Sequence, residues 1–557
     1  MQRAPRGSSK TAPSTGEASG PAMPDTAMTA VSAAERLHPR TGAPTAGTGL
    51  HPAPEEGIDV LAVAMAAAPQ TSVRDDTEEA LHPTPQPRRG SVETALWYEV
   101  DVAARAATAG VTGKAGETLL VEPPSGKTGE LPAKLIYLGV GDESTAGMRR
   151  AGAAFARATR GARRIRAAVV DGLAPEVQQA FLEGFFLGGY RAPRQGKTPA
   201  GPPMAREMQL TGLDPEALRL AQITARAVWL ARDLTNLPPD VATPEWMAVQ
   251  SRAVADRSGL SITVLDEAEL SRRGFGGLTA VGSGSSNPPR LVQVSYQPAA
   301  AAADSGQHIV LAGKGITFDS GGISLKPREA MMSMKMDMAG AAVVLAAVEA
   351  AAALELPHRV TGILALAENA IGASAYRPGD VVATYGGTTV EIGNTDAEGR
   401  IVLADALAYA AAELAPDVLV DIATLTGAAA LGLGQQYGAV FSNTAELLSA
   451  MEKAGSASGD RVWPLPLVQE YGYALASDTA DLAHVAPPAL KFGAGAIVAA
   501  LFLEKFVDGT RWVHLDIAGP MRAGTDSHET ARGATGFGTR LLISFLRDAS
   551  SLRLPAE

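Results

Sequence analysis

The 557-residue chain contains no cysteine, which excludes disulfides and every zinc site built on thiolates. A long block of lysine or arginine is also missing. With a formal net charge of −11 and a pI near 5.4, the chain has no electrostatic footprint for nucleic acid. Its apolar runs are short: residues 60–68 and 339–348 are among the longest, well under the ~20 residues of a membrane-spanning helix. The basic start, Met1-Gln2-Arg3-Ala4-Pro5-Arg6, leads into no apolar stretch, so no secretory signal is expected. These absences point to a cytoplasmic protein without a membrane or nucleic-acid partner. There is no Gly-x-Ser-x-Gly elbow either, which argues against a Ser–His–Asp triad.

What is present suits a soluble chain of more than one domain, with 46% hydrophobic and 19% charged residues. Residues 1–57 are rich in Ala, Pro, Thr, Ser and Gly and poor in large apolar side chains. Such a segment cannot bury enough surface to offset its ordering entropy, so a disordered tail is expected. From Ile58 onward, short apolar runs alternate with helical patterns at 144–160 and 174–189. That alternation predicts an α/β domain over 58–203, closed by a Pro- and Gly-containing linker at 191–203. A long helical pattern from Pro215 to Leu234 follows and stops at Asn236-Leu237-Pro238-Pro239. Strand–helix alternation then resumes, giving a larger α/β domain over 204–557 with a central mixed sheet flanked by helices.

All recognisable chemistry lies in that second domain. The run His308-Ile309-Val310-Leu311-Ala312 reads as a strand that delivers Gly313-Lys314-Gly315 to the carboxyl end of a sheet, where open α/β folds place ligands. The chain continues through Asp319-Ser320-Gly321-Gly322 and Lys326 to Asp337. A second stretch reads Asn394-Thr395-Asp396-Ala397-Glu398-Gly399-Arg400. Lys314 is followed by Gly, not Ser or Thr, so the first stretch is not a phosphate-binding loop. Asp396 and Glu398 are two apart, which puts them on one face of an extended segment. Asp337 heads an apolar helical run, a place a carboxylate also favours through the helix dipole. Each residue alone has such an ordinary explanation. Together, the four carboxylates Asp319, Asp337, Asp396 and Glu398 could neutralise two divalent cations and leave the lysines and Arg400 for chemistry, the makeup of a two-metal hydrolase. Hard oxygen donors favour Mg, Mn or Zn, and no histidine falls in these stretches.

The two stretches, with Asp421-Ile422-Ala423-Thr424-Leu425-Thr426-Gly427, His514-Leu515-Asp516-Ile517-Ala518-Gly519 and Gly533-Ala534-Thr535-Gly536-Phe537-Gly538, closely resemble the leucyl aminopeptidase (cytosol aminopeptidase) family of two-metal exopeptidases. The resemblance covers roughly residues 215–550. It implies one metal held by Asp319, Asp396 and Glu398, and a second held by Lys314, Asp319, Asp337 and Glu398, the metals being Mn²⁺ or Zn²⁺. A lysine ligand must be neutral, which two adjacent dications would enforce. Lys326 is then implied to polarise the scissile carbonyl, and Arg400 to hold a bicarbonate that relays protons. Met334, Thr424, Ala518 and Met521 are implied to wall the side-chain pocket. The resemblance further implies peptide substrates with a free amino end, trimmed of leucine or other apolar residues, and a homohexamer. The charge count alone would equally suit a phosphoesterase, and a regulatory or binding relative is the remaining alternative.

Overall fold

The computed structural model describes residues 28–34, 58–67, 85–127, 131–194, 197, 201–299 and 306–549. The first domain is built on seven strands: β1 (Ala30–Ala34), β2 (Val60–Ala66), β3 (Gln86–Pro87), β4 (Thr118–Val121), β5 (Lys134–Gly141), β6 (Arg164–Ala167) and β7 (Glu207–Thr211). Their order is β1-β7-β6-β2-β5-β4, with β3 beside β2. Pairing is parallel except for β3 and β4. Helices Thr145–Ala158 and Pro175–Gly189 bury Met148, Phe155, Phe181 and Phe185 in one core with β2, β5 and β6.

Residues 28–34 correct the expectation of a tail disordered over 1–57. Within them Ala30–Ala34 form β1, an edge strand in parallel register with β7 from Ala30↔Glu207 to Ala34↔Thr211. Backbone ladder bonds, joined by Thr29 Oγ1 donating to Ala205 O at 2.5 Å, supply order that side-chain composition does not announce. The rest of 1–57 lies outside the described residues, as do 195, 196 and 198–200 of the expected linker.

The second domain carries an eight-stranded mixed sheet from β8 (Ser261–Leu265), β9 (Arg290–Tyr296), β10 (His308–Asp319), β11 (Arg359–Asn369), β14 (Val418–Ala423), β15 (Gly438–Ser442), β16 (Val462–Pro464) and β18 (Trp512–Asp516). The order is β16-β15-β18-β14-β10-β11-β9-β8. A small second sheet joins β12 (Val381–Ala383), β13 (Thr389–Glu391) and β17 (Leu482–Ala483). At the centre β11, β10, β14 and β18 run parallel. They are covered on both faces, which explains their near-continuous apolar sequences. On one face helix Ala339–Ala353 shares a core with residues of Pro215–Asn236 and Thr539–Asp548; on the other, Glu398–Tyr409 packs with Gly495–Glu504. The stretch Met334–Ala353 is, among the described residues, the one long and apolar enough to cross a membrane, but 83% of its apolar window is buried inside the fold. It is a core helix.

Candidate metal centre

The site forms where β10, β11 and β14 reach their carboxyl ends. Lys314 sits within β10, opposite Ala365 of β11. Its side chain is buried, and its Nζ lies 2.8 Å from Asp337 Oδ2, 2.8 Å from Glu398 Oε1 and 2.9 Å from the Thr424 carbonyl. The β10–β11 register shifts between Ile316 and Asp319, bringing Asp319 opposite Asn369. Asp319 Oδ1 then accepts from Asn369 Nδ2 and from Gly321 N, both at 2.8 Å. Two glycines with positive φ follow, Gly321 (+87°) and Gly322 (+62°), conformations that side chains resist. This turn folds Lys326 back, with its N donating to Ser320 O at 2.9 Å. Lys326 Nζ reaches Asp319 Oδ2 at 2.8 Å and also pairs with Asp396 Oδ1.

Asp337 is placed by the turn Met334–Met336 and the helix that starts at Ala339. Thr424 Oγ1 donates to Asp337 Oδ1 at 2.7 Å. For Asp396 and Glu398 the structure differs from the extended segment expected. Asn394 Oδ1 accepts from Asp396 N at 3.0 Å, and Asn394 O accepts from Ala397 N at 3.1 Å. That local turn makes Ala397 the N-cap and Glu398 the first residue of helix Glu398–Tyr409. The two carboxylates still converge, but through a turn and not through strand alternation. Carboxylate oxygens of Asp319, Asp396 and Glu398 all lie within 4.8 Å of one another.

The charges explain what this cluster would hold. Burial raises the pKa of Glu398 to about 8 and of Asp337 to about 6, and raises that of Asp396. For Lys314, burial opposes the ammonium, but Asp337, Glu398 and Asp319 together outweigh it and keep its pKa above the ordinary lysine value. Lys326 is raised in the same way, with Asp319 and Glu398 the main opposing charges. Four carboxylates therefore surround two ammonium groups, and Glu398 Oε2 is buried without a hydrogen-bond partner. An unpaired buried carboxylate oxygen is costly unless something positive meets it. The donor set, oxygens plus one amine, fits hard divalent cations.

Arg400 is buried, and burial lowers its pKa to about 10. Its Nη1 donates to His484 O at 2.7 Å, whereas Nε has no partner. His484 is the residue that sequence reasoning missed here. Its Nε2 faces Asn394 O at 2.9 Å, and its Nδ1 faces Glu391 O at 3.1 Å and Gly393 N at 3.3 Å. One buried imidazole thus fixes the start of the Asn394–Arg400 stretch, while its backbone carbonyl fixes the end. Asn369 and Tyr376 were also missed. Tyr376 OH donates to Thr395 O at 2.9 Å, and Asn369 Nδ2 donates to the same carbonyl at 3.0 Å.

Of the expected pocket residues, Thr424 adjoins Asp337 as described. Ala518 follows β18, whose Asp516 pairs with Ala423 immediately before Thr424. Met521 is buried in the same apolar cluster as Met336 and Met338. Met334 is half-buried in the turn that leads to Asp337.

Residues 229–543 match the cytosol aminopeptidase family's catalytic domain, and residues 100–195 its N-terminal domain. The chain belongs to the cytosol aminopeptidase family. It is an aminopeptidase, a metallo-exopeptidase by family, with the two-domain α/β fold expected from its sequence. A "Probable cytosol aminopeptidase" of Syntrophotalea carbinolica is 41% identical over 479 residues, 82% of this chain and 94% of that protein. One of the same description from Roseiflexus castenholzii is 45% identical over 78% of this chain and 91% of its own length. Among solved structures, the bottromycin maturation enzyme BotP in complex with Mn aligns with a TM-score of 0.75. It is 35% identical, covering 89% of this chain and 100% of BotP.

One glycine of this aminopeptidase gives a direct test of the packing. A Cβ on Gly399 would stand 2.6 Å from Lys314 Cε and 2.7 Å from Nζ, and Lys314 is held by three acceptors. Alanine favours a helix over glycine by about 1 kcal/mol. Gly399→Ala is nevertheless expected to displace the Lys314 amine, lose activity and lower Tm, because overpacking a buried site costs about 1–3 kcal/mol. Full activity in this variant would contradict the close packing.

Proposed function

We propose that the protein is a leucyl aminopeptidase that removes N-terminal leucine or another apolar residue from peptides, using two divalent cations, Mn²⁺ or Zn²⁺, per subunit. The observation that carries this reading is the convergence of four carboxylates on Lys314 and Lys326, with a buried Glu398 oxygen left unpaired. The Mn complex of BotP is consistent with such a site. Asp319, Asp396 and Glu398 would hold one cation, and Lys314, Asp319, Asp337 and Glu398 the other. What the pair supplies when bound is Lewis acidity and a water of lowered pKa.

The protein's own groups do the rest. Lys314 Nζ would serve as a neutral donor, its proton passing to solvent, because bound dications would reverse the field that now holds it. Lys326, no longer needed to neutralise Asp319 and Asp396, becomes free to hydrogen-bond the scissile carbonyl and to stabilise the oxyanion that develops on it. Arg400, with Nε unpaired, would hold a bicarbonate that moves the proton from water to the leaving amine. Met334, Thr424, Ala518 and Met521 would receive the apolar side chain. A homohexamer of two stacked trimers in the cytoplasm completes the reading.

The test is substrate discrimination. Protein loaded with Mn²⁺ or Zn²⁺ should release leucine from a leucyl-anilide and spare the acetyl-leucyl-anilide. Equal cleavage of both would remove the free-amine requirement. Phosphatase activity without aminopeptidase activity would favour a phosphoesterase.

A further inference from the structure

Asp516 ends β18 at the rim of the site and is almost fully buried, with 1% of its surface exposed. Its carboxylate accepts four hydrogen bonds. Oδ1 takes Leu425 N at 3.1 Å and Ala518 N at 3.1 Å; Oδ2 takes Thr426 N at 3.0 Å and the Thr426 hydroxyl at 2.6 Å. The Thr426 hydroxyl in turn accepts from Ala429 N at 3.1 Å, capping helix Gly427–Leu433. Two segments that are otherwise separate loops, Thr424–Thr426 after β14 and Ala518 after β18, therefore hang from one side chain. The first of these carries the Thr424 carbonyl that receives Lys314 Nζ and the hydroxyl that holds Asp337.

We infer that Asp516 is a positioning residue that sets the distance between the two walls of the side-chain pocket, Thr424 and Ala518, and thereby the enzyme's selectivity among N-terminal residues. The inference rests on the pocket assignment proposed above. A carboxylate is required because all four partners donate. An amide of the same shape would turn its NH₂ group toward Thr426 N–H or toward Ala518 N–H and Leu425 N–H, replacing attraction with a donor–donor clash. The strands would keep their ladder, since Ile517 N still donates to Ala423 O at 2.8 Å. The two loops would lose their common anchor.

The experiment compares leucyl- and alanyl-anilides on the Mn²⁺-loaded full chain. Wild-type cleavage of the leucyl substrate tests the pocket reading independently, because its absence would sink that reading before any variant is made. Asp516→Asn should keep two metals per chain, raise KM for the leucyl substrate at least tenfold, and shrink the leucyl-to-alanyl ratio of kcat/KM at least fivefold. A uniform fall in kcat on both substrates, with the ratio unchanged, would show a merely structural residue and overturn the inference. If Asp516→Asn does not fold, Thr426→Val decides. It removes the 2.6 Å hydroxyl bond to Asp516 together with the cap on Ala429 N, but leaves the three backbone N–H donors on the carboxylate. It should shift the ratio in the same direction by a smaller factor, and an unchanged ratio would again overturn the inference.

Discussion

Replacing Lys326 with alanine is expected to lower kcat for a leucyl-anilide by about 10²–10³-fold, the usual cost of losing one oxyanion donor, while both metals stay bound. In the structure Lys326 Nζ sits against Asp319 and Asp396, two of the oxygens that a cation would need. Its ammonium competes with the metal for those oxygens. Removing it relieves that competition, so affinity for Mn²⁺ or Zn²⁺ should hold steady or tighten. KM should change less than kcat, because the interaction strengthens as charge develops on the carbonyl oxygen. Elemental analysis beside steady-state kinetics checks both parts. If Lys326→Ala loses its metal, the lysine is a structural member of the site and its assignment to the carbonyl is wrong.

Glu398→Gln should be more damaging still, with activity reduced by about 10³-fold or more, equivalent to ~4 kcal/mol, and with metal content falling below two per chain. Glu398 is, with Asp319, one of the two carboxylates proposed to serve both cations, and its Oε2 is buried without a hydrogen-bond partner. Glutamine keeps the shape but removes the charge. Lys314 retains Asp337 at 2.8 Å and the Thr424 carbonyl at 2.9 Å, so the local packing survives. Burial already disfavours the charged form of Glu398, so the neutral replacement should leave the Tm of metal-free protein unchanged or raise it. Loss of metal with intact Tm separates a ligand from a packing residue. A variant that keeps two metals and full activity would remove Glu398 from the site.

Much of this arrangement could be read from the chain because its signals are local. The apolar run His308–Ala312, followed by Gly313, marks a strand meeting a tight packing point. A Cβ at Gly313 would lie 2.6 Å from Ala341 Cα. The carboxylates lie in short stretches whose glycines and turns betray them. The residues that were not legible act at long range. Asn369 supports Asp319 from 50 positions away, and His484 supports Asn394 from 90 away. A polar side chain that faces a backbone carbonyl across the fold leaves no periodicity or spacing to find. Asp396 and Glu398 converge through the Asn394 turn, which overrides the alternation rule for extended chain. Strand β1 is not legible because an edge strand of mostly small residues is held largely by its ladder with β7, with Val31 packing against the first domain's core.

The most direct measurement is anomalous diffraction from crystals of the enzyme grown with Mn²⁺. Two peaks per chain are the expected result, one among Asp319, Asp396 and Glu398 and one that includes Lys314 and Asp337, with Lys326 drawn away from Asp396. A single peak, or Lys314 still paired as an ammonium with Asp337 and Glu398 beside two occupied sites, would contradict it.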